Sequence, residues 1–107
     1  MIAKTPPTPY YAVIFTSTKT TNTEGYGEMA DRMAELAAQQ PGYLGIEHAG
    51  DSAAITVSYW KDLESIRNWK RNAEHMQAQT LGKERWYESY KTRVCLVERD
   101  YGKGEGE

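Results

Sequence analysis

Between Ser58 and Tyr101 the chain gathers all three of its tryptophans (Trp60, Trp69, Trp86), one of its two histidines (His75) and four of its eight tyrosines. Large flat side chains at this density either fill a core or wall a pocket for a flat apolar ligand. His75, with an imidazole of pKa near neutrality in its ordinary state, is the candidate general base or ligand. Trp69 is the ring that could wall such a pocket. Motifs for other chemistries are missing: the sequence has no glycine-rich phosphate loop, no paired cysteines, no His-Glu-x-x-His and no nucleophile elbow.

Each candidate also has a packing explanation. Trp69 shares a helical stripe with Ile66, Ala73 and Met76, the pattern of a core face. His75 falls near Asn68, Asn72 and Gln79 on a mostly polar face, and turns inward only if the helix bends after Asn72. His48 alternates with Leu44 and Ile46 and lacks an acid at a catalytic spacing, which favours a structural role. Cys95, the only cysteine, sits in the apolar run Val94-Cys95-Leu96-Val97 and reads as a small buried hydrophobe. On the last strand Trp86, Glu88 and Tyr90 are expected on one side and Tyr87, Ser89, Lys91 and Arg93 on the other, so that Arg93 needs a carboxylate such as Glu47 or Glu98 from a neighbouring strand or subunit.

The elements that must position these residues follow from periodicity. Pro6, Pro7 and Pro9 make residues 1–9 an extended lead-in. A strand is expected from Tyr10 to Thr18 and an amphipathic helix from Glu24 to Gln40, with Met29, Met33, Leu36 and Ala37 on one stripe, stopped by Pro41-Gly42. Tyr43 to His48 and Ala54 to Trp60 read as a hairpin turning at Gly50-Asp51-Ser52, with Ile55, Val57 and Tyr59 on one face. Asp62 caps a second helix from about Leu63 to Gln79, and Trp86 to Tyr101 forms a long last strand. The glycine-rich residues 102–107 form a loose tail, leaving 10–101 as one domain. The order strand, helix, strand, strand, helix, strand is the ferredoxin-like α+β arrangement: a four-stranded antiparallel sheet with two helices on one face.

Composition bounds the partners. A chain of 107 residues with 39% apolar residues builds a modest core, so part of its burial is expected from a second copy whose sheet covers the face the helices leave bare. Thirteen basic residues interspersed among fifteen acids, net charge -2, argue against nucleic acid as a partner. The longest uncharged run, Thr5 to Ser17, is too rich in proline and hydroxyls for a membrane span or a signal-peptide core, and the expected location is the cytoplasm.

The residues Pro41-Gly42-Tyr43-Leu44-Gly45 and Ser58-Tyr59-Trp60, followed by Trp69, His75 and Trp86-Tyr87, resemble the antibiotic biosynthesis monooxygenase superfamily of dimeric α+β barrels over roughly Tyr10 to Tyr101. The resemblance implies a homodimer with a ligand cavity between the helices and the sheet. Phe15 and Ser17 on the first strand, Tyr59 or Trp60, Trp69 and Trp86 would line it. It also implies a cofactor-independent monooxygenase acting on an aromatic or phenolic small molecule, in which His75 removes a proton and the electron-rich substrate itself activates dioxygen in a dry pocket. A non-catalytic binding or scaffold dimer is the alternative. The haem-degrading branch of the superfamily fits less well: its asparagine position on the first strand holds Thr16 or Ser17, its histidine position falls on Gln79, and His75 comes about one turn early.

Overall fold

The computed structural model describes residues 2–80 and 85–105; the side chains of residues 75–80 are outside that description. Six elements run in the expected order: β1 (Tyr10–Lys19), α1 (Tyr26–Ala38), β2 (Tyr43–Gly50), β3 (Ala53–Trp60), α2 (Leu63–Thr80) and β4 (Tyr87–Val97). The strands form one antiparallel sheet in the order β2-β3-β1-β4. Two connections leave the sheet as helices and return to it, so the chain is a ferredoxin-like α+β domain. No helix among the described residues is long and apolar enough to cross a membrane.

Local chemistry sets the joints. Tyr43 N–H donates to the Gln40 carbonyl at 3.2 Å, closing a turn around Pro41 and Gly42. Gly42 has φ +85°, a conformation that costs glycine nothing and other residues much. Its missing side chain also matters, because a Cβ there would overlap Ser65 Oγ. At the start of α2 Asp62 acts as the expected cap: its Oδ1 accepts from the Ser65 N–H at 2.8 Å and from the Ser65 hydroxyl at 2.6 Å.

Away from register shifts at Thr18/Lys19 and Tyr43/Gly45, alternation sorts the strand residues to one of two faces. On the helix side, Trp60, Ala37 and Ile66 form the buried centre, with Tyr11, Val13, Tyr43 and Trp69 packed around it. The register carries this face on through Phe15 and Ser17 of β1, Ser58 and Thr56 of β3, and Tyr90, Thr92, Val94 and Leu96 of β4. The opposite face holds Tyr10, Ala12, Ile14, Ile55, Val57, Tyr59, Arg93 and Cys95.

The Val94 to Val97 run departs from expectation. Val94 and Leu96 are 51% and 48% exposed and Cys95 is only half-buried. β4 is an edge strand paired only with β1, so apolar composition alone does not bury it in a single chain. Arg93 likewise makes no ion pair among the described residues, where the single bridge joins Lys70 to Glu74 along α2. The expected roles of Met76 and Gln79 lie outside the described residues.

Candidate active site between the helices and the sheet

The helix-side face carries two groups of aromatic rings, one at each end of the sheet. At the first end Trp60, 0% exposed, stacks on Trp69 with ring centroids 6.0 Å apart and meets Tyr43 edge-on at 5.6 Å. Its indole N–H donates to Ser58 Oγ at 2.9 Å, so that both buried polar groups are satisfied. Trp60 is thus a support, and half-buried Trp69 is the ring of this pair that remains partly open. Trp69 is held there because it and Ile66 occupy the same stripe of α2, while Asn72 fixes the helix to the end of α1 by donating to Gln40 Oε1 at 2.9 Å.

At the other end Phe15 lies against Tyr87 and Tyr90, at 5.4 and 5.6 Å between centroids. Tyr26, in the first turn of α1, continues the group edge-on to Tyr87 at 5.9 Å and to Trp86 at 5.6 Å. The Lys19 ammonium stands 4.6 Å from the centre of the Tyr26 ring, within cation–π range. Trp86 is buried, and its indole N–H donates to the Glu24 carbonyl at 2.9 Å, tying the approach to β4 to the approach to α1. Burial pushes the Tyr87 hydroxyl well above the usual phenol range, and its bond with the Tyr26 hydroxyl adds to this. At neutral pH that group is a hydrogen-bond donor and not a base.

Between the two groups the register sets Val13, Ser58 and Val94, with Thr56 level with Phe15 and Ser17 beyond it. Ser17 and Ser58 are buried, and Thr56 is the cross-strand neighbour of Phe15. His48 reaches the same face at the outer strand, exposed, with Nδ1 2.7 Å from Thr56 Oγ1, which accounts for it as a surface contact. Among the described residues no three His, Cys, Asp or Glu side chains are grouped so as to hold a metal ion.

The sequence-derived candidates therefore divide. Phe15, Ser17, Trp69, Trp60 and Trp86 all stand on the helix side, with Trp60 and Trp86 buried behind the surface. Tyr59 does not join them. Next to Trp60 in an extended strand, it must point the other way, and there its hydroxyl donates to Glu47 Oε1 at 2.6 Å. Burial first and then the Glu47 carboxylate push the Tyr59 phenol up to about 12. His75 lies on α2, but its side chain is outside the described residues. Tyr26, Tyr87 and Tyr90 are additions. Tyr87 was expected opposite Tyr90, yet the two rings lie 5.8 Å apart because a bulge at Thr18/Lys19 shifts the β1–β4 register and breaks the alternation.

Comparison with known proteins agrees with this architecture. Residues 9–81 match the model of the antibiotic biosynthesis monooxygenase family. The chain is 51% identical over 100 residues to "Uncharacterized protein YqjZ" of Bacillus subtilis, covering 92% of this chain and 88% of that one. Among solved structures it is similar to SnoaB, a cofactor-independent oxygenase from Streptomyces nogalater (TM-score 0.67, 12% identity, 92% of this chain and 100% of that chain). It is similar to the same degree to PA3566 from Pseudomonas aeruginosa (TM-score 0.67, 16% identity, 88% and 97% covered). The fold and the family match over residues 9–81 lead to one conclusion: the chain belongs to the antibiotic biosynthesis monooxygenase family.

Proposed function

We propose that this protein is a homodimeric, cofactor-independent monooxygenase of an aromatic or phenolic small molecule, bound on the helix side between Trp69 and the Phe15 group. The observation that carries this reading is the helix-side surface itself, where two groups of partly open rings stand on either side of Val13, Ser58 and Val94, and Val94 and Leu96 stay half exposed. A flat electron-rich molecule is the ligand that such a surface accommodates. SnoaB, a cofactor-independent oxygenase, has the same fold and supports the reaction class.

In the proposed reaction the keto tautomer of a polycyclic phenol presents a ring-flanked methylene, which with dioxygen yields a carbonyl, and so a quinone, and water. One oxygen atom enters the product and the other leaves as water, and the substrate's two C–H bonds supply all four electrons. The protein's part is to bind the ring plane against Trp69, exclude water and accept the first proton, a role we give to His75 of α2, while the Tyr87 hydroxyl, held protonated, stays a donor. Oxygen uptake with a panel of polycyclic phenols and no added cofactor is the test. The wild type is expected to consume oxygen and to yield a quinone, with His75→Ala lowering the rate by about 100-fold or more and Trp69→Ala raising KM. Absence of uptake across the panel, with the phenols bound, would leave a binding protein in place of an enzyme.

A further inference from the structure

Two tyrosines from distant parts of the chain share the Phe15 end of the helix-side face. Tyr26 opens α1, Tyr87 opens β4, and their rings meet edge-on at 5.9 Å, both half-buried. Ring contacts hold each in place: Tyr26 stands against Trp86, whose indole is tied to Glu24, and Tyr87 stands against Phe15 and Tyr90. The Lys19 ammonium covers the face of the Tyr26 ring and is kept there by donating to the Asp51 carbonyl.

Two hydroxyls bonded to each other carry two protons and use only one of them between them. Tyr87 keeps its proton, first through burial and then through the bond with Tyr26, so Tyr87 donates and Tyr26 accepts. The Tyr26 O–H is then left over, and it donates to no acceptor among the described residues. On the opposite face the tyrosine protons are spent within the protein, Tyr10 donating to Asp100 and Tyr59 to Glu47. A spare phenolic proton, oriented by a second hydroxyl and set among rings, suits an oxygen atom carried by a flat molecule.

We propose that the Tyr26 hydroxyl, positioned by Tyr87, donates a hydrogen bond to the oxygen of an aromatic substrate whose rings lie against Phe15 and Tyr90. The donor rests on the ligand reading of the proposed function and deepens it, because it sets which end of the molecule enters first. That oxygen is also where charge develops. When the methylene of the keto tautomer gives its proton to the base, the C–H electron pair moves through the ring onto the oxygen, and a donor already in place there stabilises it. The Lys19 cation on the ring face strengthens the donor.

Equilibrium dialysis with 2-naphthol and with naphthalene tests this, since the two ligands share their rings and differ by one oxygen. Tyr26→Phe keeps the ring that meets Trp86, Tyr87 and Lys19 and removes only the hydroxyl. It is expected to weaken 2-naphthol about tenfold while leaving naphthalene within about twofold. Tyr87→Phe should shift the same selectivity in the same direction and by less, because Tyr26 keeps its proton and loses its orientation. Equal losses for both ligands in Tyr26→Phe, or no loss for either, overturn the donor; a wild type that binds neither ligand removes the donor and the ring-binding surface together. Circular dichroism checks folding, and should Tyr26→Phe not fold, the selectivity of Tyr87→Phe decides. Oxygen uptake separates the donor from the proposed activity. Selectivity that Y26F abolishes, in a protein that takes up no oxygen, keeps the donor and removes the monooxygenase, whereas uptake alongside selectivity that Y26F leaves intact keeps the enzyme and removes the donor.

Discussion

Replacing Trp60 and Trp69 by phenylalanine, one at a time, separates support from site. Trp60 is fully buried and donates to Ser58, which is itself buried. Trp60→Phe removes roughly 40 Å² of buried apolar surface, worth about 1 kcal/mol at the usual area coefficient. It also leaves the Ser58 hydroxyl without that donor, a loss of about 1–3 kcal/mol. The sum, about 2–4 kcal/mol, is a large share of the stability of a domain this size. Trp69 is only half-buried, so the same change there is expected to cost about 1 kcal/mol or less. Urea unfolding followed by far-UV circular dichroism measures both, and quenching of tryptophan fluorescence by a polycyclic phenol measures binding. The expected pattern is crossed: Trp60→Phe loses stability and keeps affinity in the folded fraction, whereas Trp69→Phe keeps stability and loses affinity. Equal destabilisation, or weaker binding in Trp60→Phe alone, would refute the division of the two rings into support and wall.

Gly42→Ala should lower stability by about 2 kcal/mol or more, since φ is +85° and the new Cβ would meet Ser65; an unchanged urea midpoint would contradict the turn as described. The Tyr59 phenol, raised to about 12, contributes stability that is complete below its unfolded value near 10 and is lost as pH rises towards 12. Phenolate absorbance at high pH should therefore show late-titrating tyrosines, one fewer of them in Tyr59→Phe, where Tyr87 remains, and early titration of all tyrosines in the folded protein would count against the Tyr59–Glu47 bond. The Glu47 carboxylate, shifted down, contributes stability that is present above its ordinary value and is lost as pH falls through the lowered one. The melting temperature of Glu47→Gln should accordingly lie below that of wild type at pH 7 and converge with it in acid.

The order of elements was legible because each has a clean period: alternation in Ala54 to Trp60, a helical stripe through Met29, Met33 and Ala37, and a turn at Pro41-Gly42 that no helix could cross. Alternation also placed Ile55, Val57 and Tyr59 on one face, and that is why Tyr59 could not belong to the same pocket as Trp60. What period could not supply was the bulge. The shift at Thr18/Lys19 moved Tyr87 into the ring group, and Tyr26 joined from the first turn of α1, with tertiary partners some sixty residues away. Burial of the Val94 to Val97 run failed for a related reason: hydrophobicity says that a strand needs cover, and strand order decides whether its own chain provides it. The bond from Ala3 to Glu47 was invisible in the sequence, being a contact between residues 44 apart with no pattern to announce it.

Product formed under ¹⁸O₂ from a polycyclic phenol, without added cofactor and with a chelator present, is the most direct measurement of the proposed activity. A single ¹⁸O atom in the quinone, lost together with turnover in His75→Ala, is the predicted result. Unlabelled product, or formation of labelled product no faster than in protein-free buffer, would contradict it.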